Sequence, residues 1–111
     1  MAQYADLTME QGIDYGQDFI VRNPDGTPRD ITYSSFTMSM RKSHFSKAIT
    51  ANMVMTIADG VNGILYANAN TMITSNIKAG YYVYDIREVN SSNLVSRLAE
   101  GTIIVYPQVT K

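Results

Sequence analysis

The chain has no cysteine and no tryptophan, a single histidine and three prolines. Without cysteine there is no disulfide framework, no thiol nucleophile and no thiolate-bound metal. One histidine cannot furnish the ligand set of a standard zinc site. An excess of either charge is also missing: nine Lys and Arg stand against ten Asp and Glu, a net charge of −1. That balance speaks against a nucleic-acid module, which usually carries a basic excess on one face, and against a polyanionic tail. No apolar run approaches the ~20 residues that a membrane-crossing helix needs. The opening Met1-Ala2-Gln3-Tyr4-Ala5-Asp6 lacks the basic-then-apolar order of a secretory signal, so none is expected. No Gly-rich phosphate loop or dinucleotide fingerprint occurs. The expectation is a small domain with no cofactor, no metal, no small-molecule substrate, no membrane and no nucleic-acid partner.

What is present suits one β-rich domain. The 111 residues are 45% apolar or aromatic, enough for a single core, and tyrosine occurs eight times. Period-two alternation recurs. In Phe36-Thr37-Met38-Ser39-Met40-Arg41-Lys42 the even positions are Phe, Met and Met before Lys42, and the odd ones Thr, Ser and Arg. Met53, Met55 and Ile57 repeat the pattern, and Tyr82, Tyr84 and Ile86 oppose Asp85 and Arg87. Thr102-Ile103-Ile104-Val105-Tyr106 is apolar almost throughout, as in a strand covered on both faces or meeting a partner.

Turn chemistry separates these runs. Asn23-Pro24-Asp25-Gly26-Thr27-Pro28 predicts a turn between strands at 18–22 and 29–32. Asp59-Gly60-Val61-Asn62-Gly63 predicts a hairpin between 53–58 and 64–68, and Asn90-Ser91-Ser92-Asn93 one between the Tyr82 strand and 94–99. Residues 71–78 read as a short helical crossover, capped by Asn70 or Thr71, closed by Gly80, with Met72, Ile73 and Ile77 on one side. Seven to eight short strands at such spacing predict an immunoglobulin-like antiparallel β-sandwich. The cysteines and tryptophan of an antibody domain are absent, so only the architecture is expected. One domain spans 1–111, with 1–7 expected as a partly free N-terminal arm.

Site chemistry is sparse. His44 has no nucleophile elbow to serve and sits in the polar stretch Arg41-Lys42-Ser43-His44-Phe45-Ser46-Lys47. That stretch carries a small basic cluster with an aromatic, and reads as a solvated loop. Asp25 and Asp30 near Gly26 could offer oxygens to a hard cation, but an ordinary Asp-Gly turn accounts for them. Glu88 and Glu100 fall on neighbouring predicted strands; the two-acid arrangement of a glycosidase would need a cleft, and surface charge is the simpler reading. The methionines at 38, 40, 53 and 55 read as core filling. Eight tyrosines are too many to bury with every hydroxyl satisfied, and tyrosine favours protein interfaces. Tyr82 and Tyr84 belong to the core; Tyr4, Tyr81, Ile104 and Tyr106 are the interface candidates. Arg41 and Asp85, both outward, form a candidate cross-strand pair if their strands are neighbours.

Several fragments together resemble a known group. Ala5-Asp6-Leu7-Thr8-Met9-Glu10-Gln11-Gly12 is similar to the hydrophobic-x-Gln-Gly start of small structural proteins of tailed bacteriophages. Asn23-Pro24-Asp25-Gly26-Thr27-Pro28-Arg29-Asp30-Ile31-Thr32 resembles their Asp-Gly-x-Pro-x-Asp-Leu-Thr segment. Phe36-Thr37-Met38-Ser39-Met40-Arg41-Lys42-Ser43, Ala79-Gly80-Tyr81-Tyr82-Val83-Tyr84-Asp85-Ile86 and Arg97-Leu98-Ala99-Glu100-Gly101 follow in family order. Val105-Tyr106-Pro107-Gln108-Val109-Thr110 resembles the Val-x-Pro-x-Val-Thr ending. Thr32-Tyr33-Ser34-Ser35 departs from the Thr-Gly-Tyr often found there. The group is that of virion proteins of contractile-tailed cyanophages and, more distantly, the N-terminal sandwich domain of phage baseplate upper proteins. The resemblance implies a non-enzymatic virion protein, assembled in the host cytoplasm. It would be a module of the tail, baseplate or fibre-attachment region, with other virion proteins and copies of itself as partners. The alternatives are a capsid decoration protein and, from another class, a carbohydrate-binding module presenting Tyr81 and Tyr106 to host-surface glycans. A small hydrolase built on His44 is the weakest.

Overall fold

The computed structural model describes residues 3–43 and 49–107. Among them run eight strands and one helical turn: β1 (Gln3–Tyr4), β2 (Leu7–Glu10), β3 (Tyr15–Ile20), β4 (Ser35–Arg41), β5 (Ala51–Asp59), β6 (Ile64–Ala69), α1 (Thr71–Thr74), β7 (Gly80–Val89) and β8 (Val95–Tyr106). Ladders connect them in the order β1-β8-β7-β4-β5-β6-β3, with β2 also on β8. β5 links the two layers: its first three residues pair with β4, and from Val54 onward it pairs with β6. The first layer is β1/β2-β8-β7-β4 and the start of β5; the second is the rest of β5 with β6 and β3. This is the immunoglobulin-like sandwich that the strand pattern predicts.

Alternation places the core where it was read. Met38 and Met40 on β4, Met53 on β5, and Tyr82, Tyr84 and Ile86 on β7 are buried, and they meet Leu65 and Ala67 of β6 in one cluster. Met55 packs on its margin. The hairpins form as their turn residues dictate. Asn93 takes a left-handed φ of 62°, which asparagine tolerates, and the Asn90 carboxamide oxygen accepts from the N–H groups of Ser92 and Leu94 at 2.9 and 3.0 Å. Gly63, with φ 72°, lies where a Cβ would stand 2.4 Å from the Val21 carbonyl oxygen.

Five local expectations change. Residues 3–7 are not a free arm: β1 and β2 pair in parallel with β8, Tyr4 against Glu100 and Leu7 against Ile103, so the predicted antiparallel sandwich is mixed. Leu7 and Met9 are buried there, and that burial pins the segment. The strand read at 18–22 begins earlier, at Tyr15. Residues 29–32 form no strand. A single bridge joins Arg22 to Pro28, after which the N–H groups of Arg29 and Ile31 donate to Val21 and Gly60. Pro28 has no N–H to extend a ladder. Ile31, fully buried, closes one end of the sandwich. The strands predicted at 94–99 and 102–106 are the single strand β8, which runs through Gly101. The helix is one turn, capped by the Asn70 side chain on the Ile73 N–H and ended by Ser75. Gly80 opens β7 instead of closing the helix, and Met72 is exposed, because one turn cannot set Met72 and Ile73 on the same side.

Glu88 is not surface charge. It points into the sandwich at 2% exposure. Its carboxylate accepts from the Arg29 guanidinium and, at 2.7 Å, from the Ser34 hydroxyl. A buried carboxylate is tolerable only when so compensated. The pair ties the connection between β3 and β4 to β7.

At Gly101 three segments of the chain meet. An added Cβ would stand 1.9 Å from the Ala5 carbonyl oxygen and 3.1 Å from the Tyr84 ring. That same carbonyl accepts a 2.6 Å hydrogen bond from the Tyr84 hydroxyl, and the Ala5 N–H donates to Glu100 at 3.0 Å. Gly101→Ala is therefore expected to push β1 off β8 and lower the unfolding free energy by about 1–3 kcal/mol in urea titration. Elsewhere in the core the Tyr15 hydroxyl is buried with no hydrogen-bond partner among the described residues, and burial pushes its pKa from 10.0 up to about 12. A raised folded pKa gives stability that is present below pH 10 and lost as pH rises towards 12. Tyr15→Phe is expected to keep or raise stability by up to about 1 kcal/mol at neutral pH and to make the alkaline loss shallower. A clear drop at pH 7 would show that the hydroxyl has a partner.

Candidate docking face

The first layer has one face in the core and one in solvent, and register decides what the outer face carries. Tyr81 on β7 stands opposite Ile104 on β8, which on its other side faces Thr8 of β2. Tyr106 stands opposite Glu10, and Tyr4 opposite Glu100. All four interface candidates thus lie on this one face. Tyr81, Ile104 and Tyr106 gather at one end; Tyr4 sits four residues away along β8, roughly 13 Å at the usual strand rise. Tyr81 is 77% exposed, Tyr4 65% and Tyr106 49%.

The other end is charged. Ser39, Arg41, Asp85, Arg87, Arg97 and Glu100 border a recess of about 110 Å³. Asp85 accepts ion-pair contacts from the Nε atoms of Arg87 and Arg97, each at 3.6 Å, and Arg97 Nη1 donates to Glu100 at 2.9 Å. Their strands are neighbours, as the proposed Arg41–Asp85 pair required. Register nevertheless puts Ser39 opposite Asp85 and Arg41 opposite Val83, leaving the two charges diagonal, and the close ion pairs of Asp85 run to Arg87 and Arg97.

Sequence reasoning missed Arg97 for a geometric reason. Ala99, Gly101, Ile103 and Val105 all face inward, so strict alternation would aim Arg97 into the core. A β-bulge between Ile86 and Arg87 intervenes: Ile86 pairs with Ala99 but Arg87 with Arg97. Leu98 is the extra residue, and Arg97 turns outward beside Arg87. A bulge leaves no signature in period-two patterning.

Hydrogen bonds tune the acids. The Thr102 hydroxyl donates to Asp6 at 2.7 Å and holds that carboxyl below its ordinary pKa, while the Asp6 carboxylate pushes the Tyr4 hydroxyl up. Asp25 accepts from the Thr27 hydroxyl at 2.6 Å and its N–H at 3.0 Å; Asp30 accepts likewise from Thr32 at 2.5 and 2.9 Å. Both carboxyls are drawn low by these bonds and serve as turn acceptors. Among the described residues no three His, Cys, Asp or Glu side chains gather for a metal ion. Glu88 faces inward and Glu100 outward, so they do not flank a common cleft. His44, Phe45 and Lys47, with the basic-loop reading, lie outside the described residues.

No family model matches the chain, and no curated protein matches it in sequence. Among solved structures it is similar to a chain of the complex of ICOS with ICOS-L and an anti-ICOS-L VNAR domain, at 13% identity and a TM-score of 0.52. That match covers 95% of this chain and 56% of the other, so this chain spans little more than half of its neighbour's length. It is also similar to CopC from Methylosinus trichosporium OB3b, at 14% identity, a TM-score of 0.49, and coverage of 99% and 88%. At such identity the first likeness is one of fold alone.

Asp85 separates two facing guanidinium groups while remaining partly exposed. Asp85→Ala is expected to lower stability by a few tenths to about 1 kcal/mol, the range of solvent-screened pairs, and the loss should shrink in high salt. Identical urea midpoints for the variant and the parent chain at low salt would remove this role.

Proposed function

We propose that the chain is a non-enzymatic structural module of a tailed-phage particle, belonging to the tail, baseplate or fibre-attachment region, and that it docks on neighbouring virion proteins and copies of itself. The observation that carries the reading is the outer face of the first layer, which Tyr4, Tyr81, Ile104 and Tyr106 share with Arg87 and Arg97. Aromatic residues and arginine are the types enriched in protein interfaces: a tyrosine ring buries much area at little entropic cost and keeps a polar end, and arginine brings a planar fork of donors. The resemblance to cyanophage virion proteins supports the same reading. Its fragments fall on β2, the β3–β4 connection, β4, β7 and β8, the parts that build this layer and close its end. A capsid decoration role is the alternative within the class.

Adjacency of Tyr81 and Tyr106 on one face also favours a second reading, a glycan-binding platform, which silence on a glycan array would remove. The first reading is tested by cosedimentation with purified contractile-tailed particles and by locating the chain in a reconstruction of the particle. Tyr81→Ala with Tyr106→Ala is expected to weaken capture by about tenfold or more with an unchanged unfolding midpoint. Absence of the protein from purified particles counts against the proposal.

A further inference from the structure

The second layer ends in an open edge. Among the described strands β3 pairs with β6 alone. Just past β3, the Val21 N–H donates to the Gly63 carbonyl at 2.8 Å, one step beyond the partners Ile20 and Ile64. An antiparallel ladder alternates, so Tyr15, Gln17 and Phe19 turn their N–H and C=O groups to β6, while Gly16, Asp18 and Ile20 turn theirs away. Of these outward groups the Asp18 carbonyl accepts from Gln17 Nε2 at 3.1 Å, and no other hydrogen bond reaches them from the described residues. Recesses of about 570 and 400 Å³ run along this edge, between β3 and the β1/β2 edge of the first layer, and Gln17 borders both. Leu7, Phe19, Val21 and Leu98 line the larger one, and Met9 and Tyr15 the smaller. The charged residues that border them are Glu10, Asp14 and Asp18, with Arg22 at one end. The three carboxylates are exposed and form no ion pair among the described residues. Arg22 gives its Nη1 to the Gly26 carbonyl at 3.1 Å. Lys78, on the connection that Gln11 holds through the Ile77 carbonyl, borders neither recess.

We propose that this edge takes up an extended cationic segment of another protein, which adds to β3 as a further strand. Outward N–H and C=O groups at a two-residue repeat are matched by another extended backbone, which is the physics of strand addition. Alternate side chains of the added strand point to opposite faces. Apolar ones on the inner side fit the lining of the recesses. Lys or Arg on the other side finds the unpaired carboxylates of Glu10, Asp14 and Asp18, so charge complementarity selects a basic partner. A second copy of this chain suits the edge less well, because it brings the same border of three acids against one arginine. The edge is distinct from the outer face that carries Tyr81 and Ile104, and the inference stands without the role proposed for that face.

The probe is a peptide of alternating Lys and Val, roughly eight residues long. A Glu and Val peptide and an alternately N-methylated Lys and Val peptide serve as controls. Binding to the full chain is read by amide hydrogen exchange and NMR titration. In the free chain the N–H groups of Gly16, Asp18 and Ile20 are expected to exchange quickly, and those of Gln17 and Phe19 slowly. The Lys and Val peptide is expected to slow exchange at Gly16, Asp18 and Ile20 by about tenfold or more, with Gln17 and Phe19 unchanged and the binding weakened by salt. Neither control is expected to protect these amides, because one reverses the charge and the other removes the ladder donors. Asp14→Lys with Asp18→Lys is expected to raise the dissociation constant of the Lys and Val peptide by about tenfold or more. Slow exchange retained at Gln17 and Phe19 shows that this variant folds. No protection by the Lys and Val peptide up to about 1 mM, equal protection by the Glu and Val peptide, or protection confined to amides away from β3 would each overturn the inference. Protection of Gly16, Asp18 and Ile20 that appears without peptide as the chain is concentrated would also overturn it, by showing a second copy on the edge.

Discussion

The first layer depends on a side chain that is not there. Gly101 sits at the centre of β8, opposite Tyr84, and its bare Cα lets the Ala5 carbonyl come close enough to accept the Tyr84 hydroxyl. That hydrogen bond satisfies a tyrosine hydroxyl that would otherwise be stranded in the core, and it ties the N-terminal segment to the layer. Because the offset of 96 residues between β1 and β8 is the same as between β2 and β8, the two short strands act as one edge interrupted at Ala5 and Asp6. Without that edge, Ile103 and Val105 would lose Leu7 and Met9 as neighbours on the core side. Tyr4, Thr8 and Glu10 would be absent from the outer side.

The same layer is asymmetric in what it asks of its two faces. The inner face is satisfied by packing, apart from Glu88, whose charge is answered by Arg29 and Ser34 from the β3–β4 connection. That answer turns a long, turn-rich segment into a lid over one end of the sandwich, with Ile31 as its apolar plug. The outer face carries tyrosines that are exposed among the described residues and two arginines that a bulge brings together around Asp85.

Much of the architecture was readable because strand alternation and turn chemistry are local. The buried sets on β4 and β7, both hairpin turns, the Asn70 cap and the outward direction of Tyr81 and Tyr106 all follow from residues within a few positions of one another. The residues at 29–32 misled because the turn before them was real while their backbone partners lay elsewhere: Val21 and Gly60 took the N–H groups that a strand would have offered to a ladder. The N-terminal segment misled for a similar reason, since a parallel pairing with residues 96 positions away leaves no trace in its own sequence.

By itself, then, the sequence determined the layer count, the identity of the core faces and the absence of thiol chemistry, since these depend on side-chain period and residue type. Only the tertiary structure decided that four scattered candidates share one face, that Arg97 points outward beside Arg87, and that Glu88 is buried. Those outcomes hang on register, on a bulge and on a long-range ion pair, and each is a relation between distant positions that no single stretch of chain encodes.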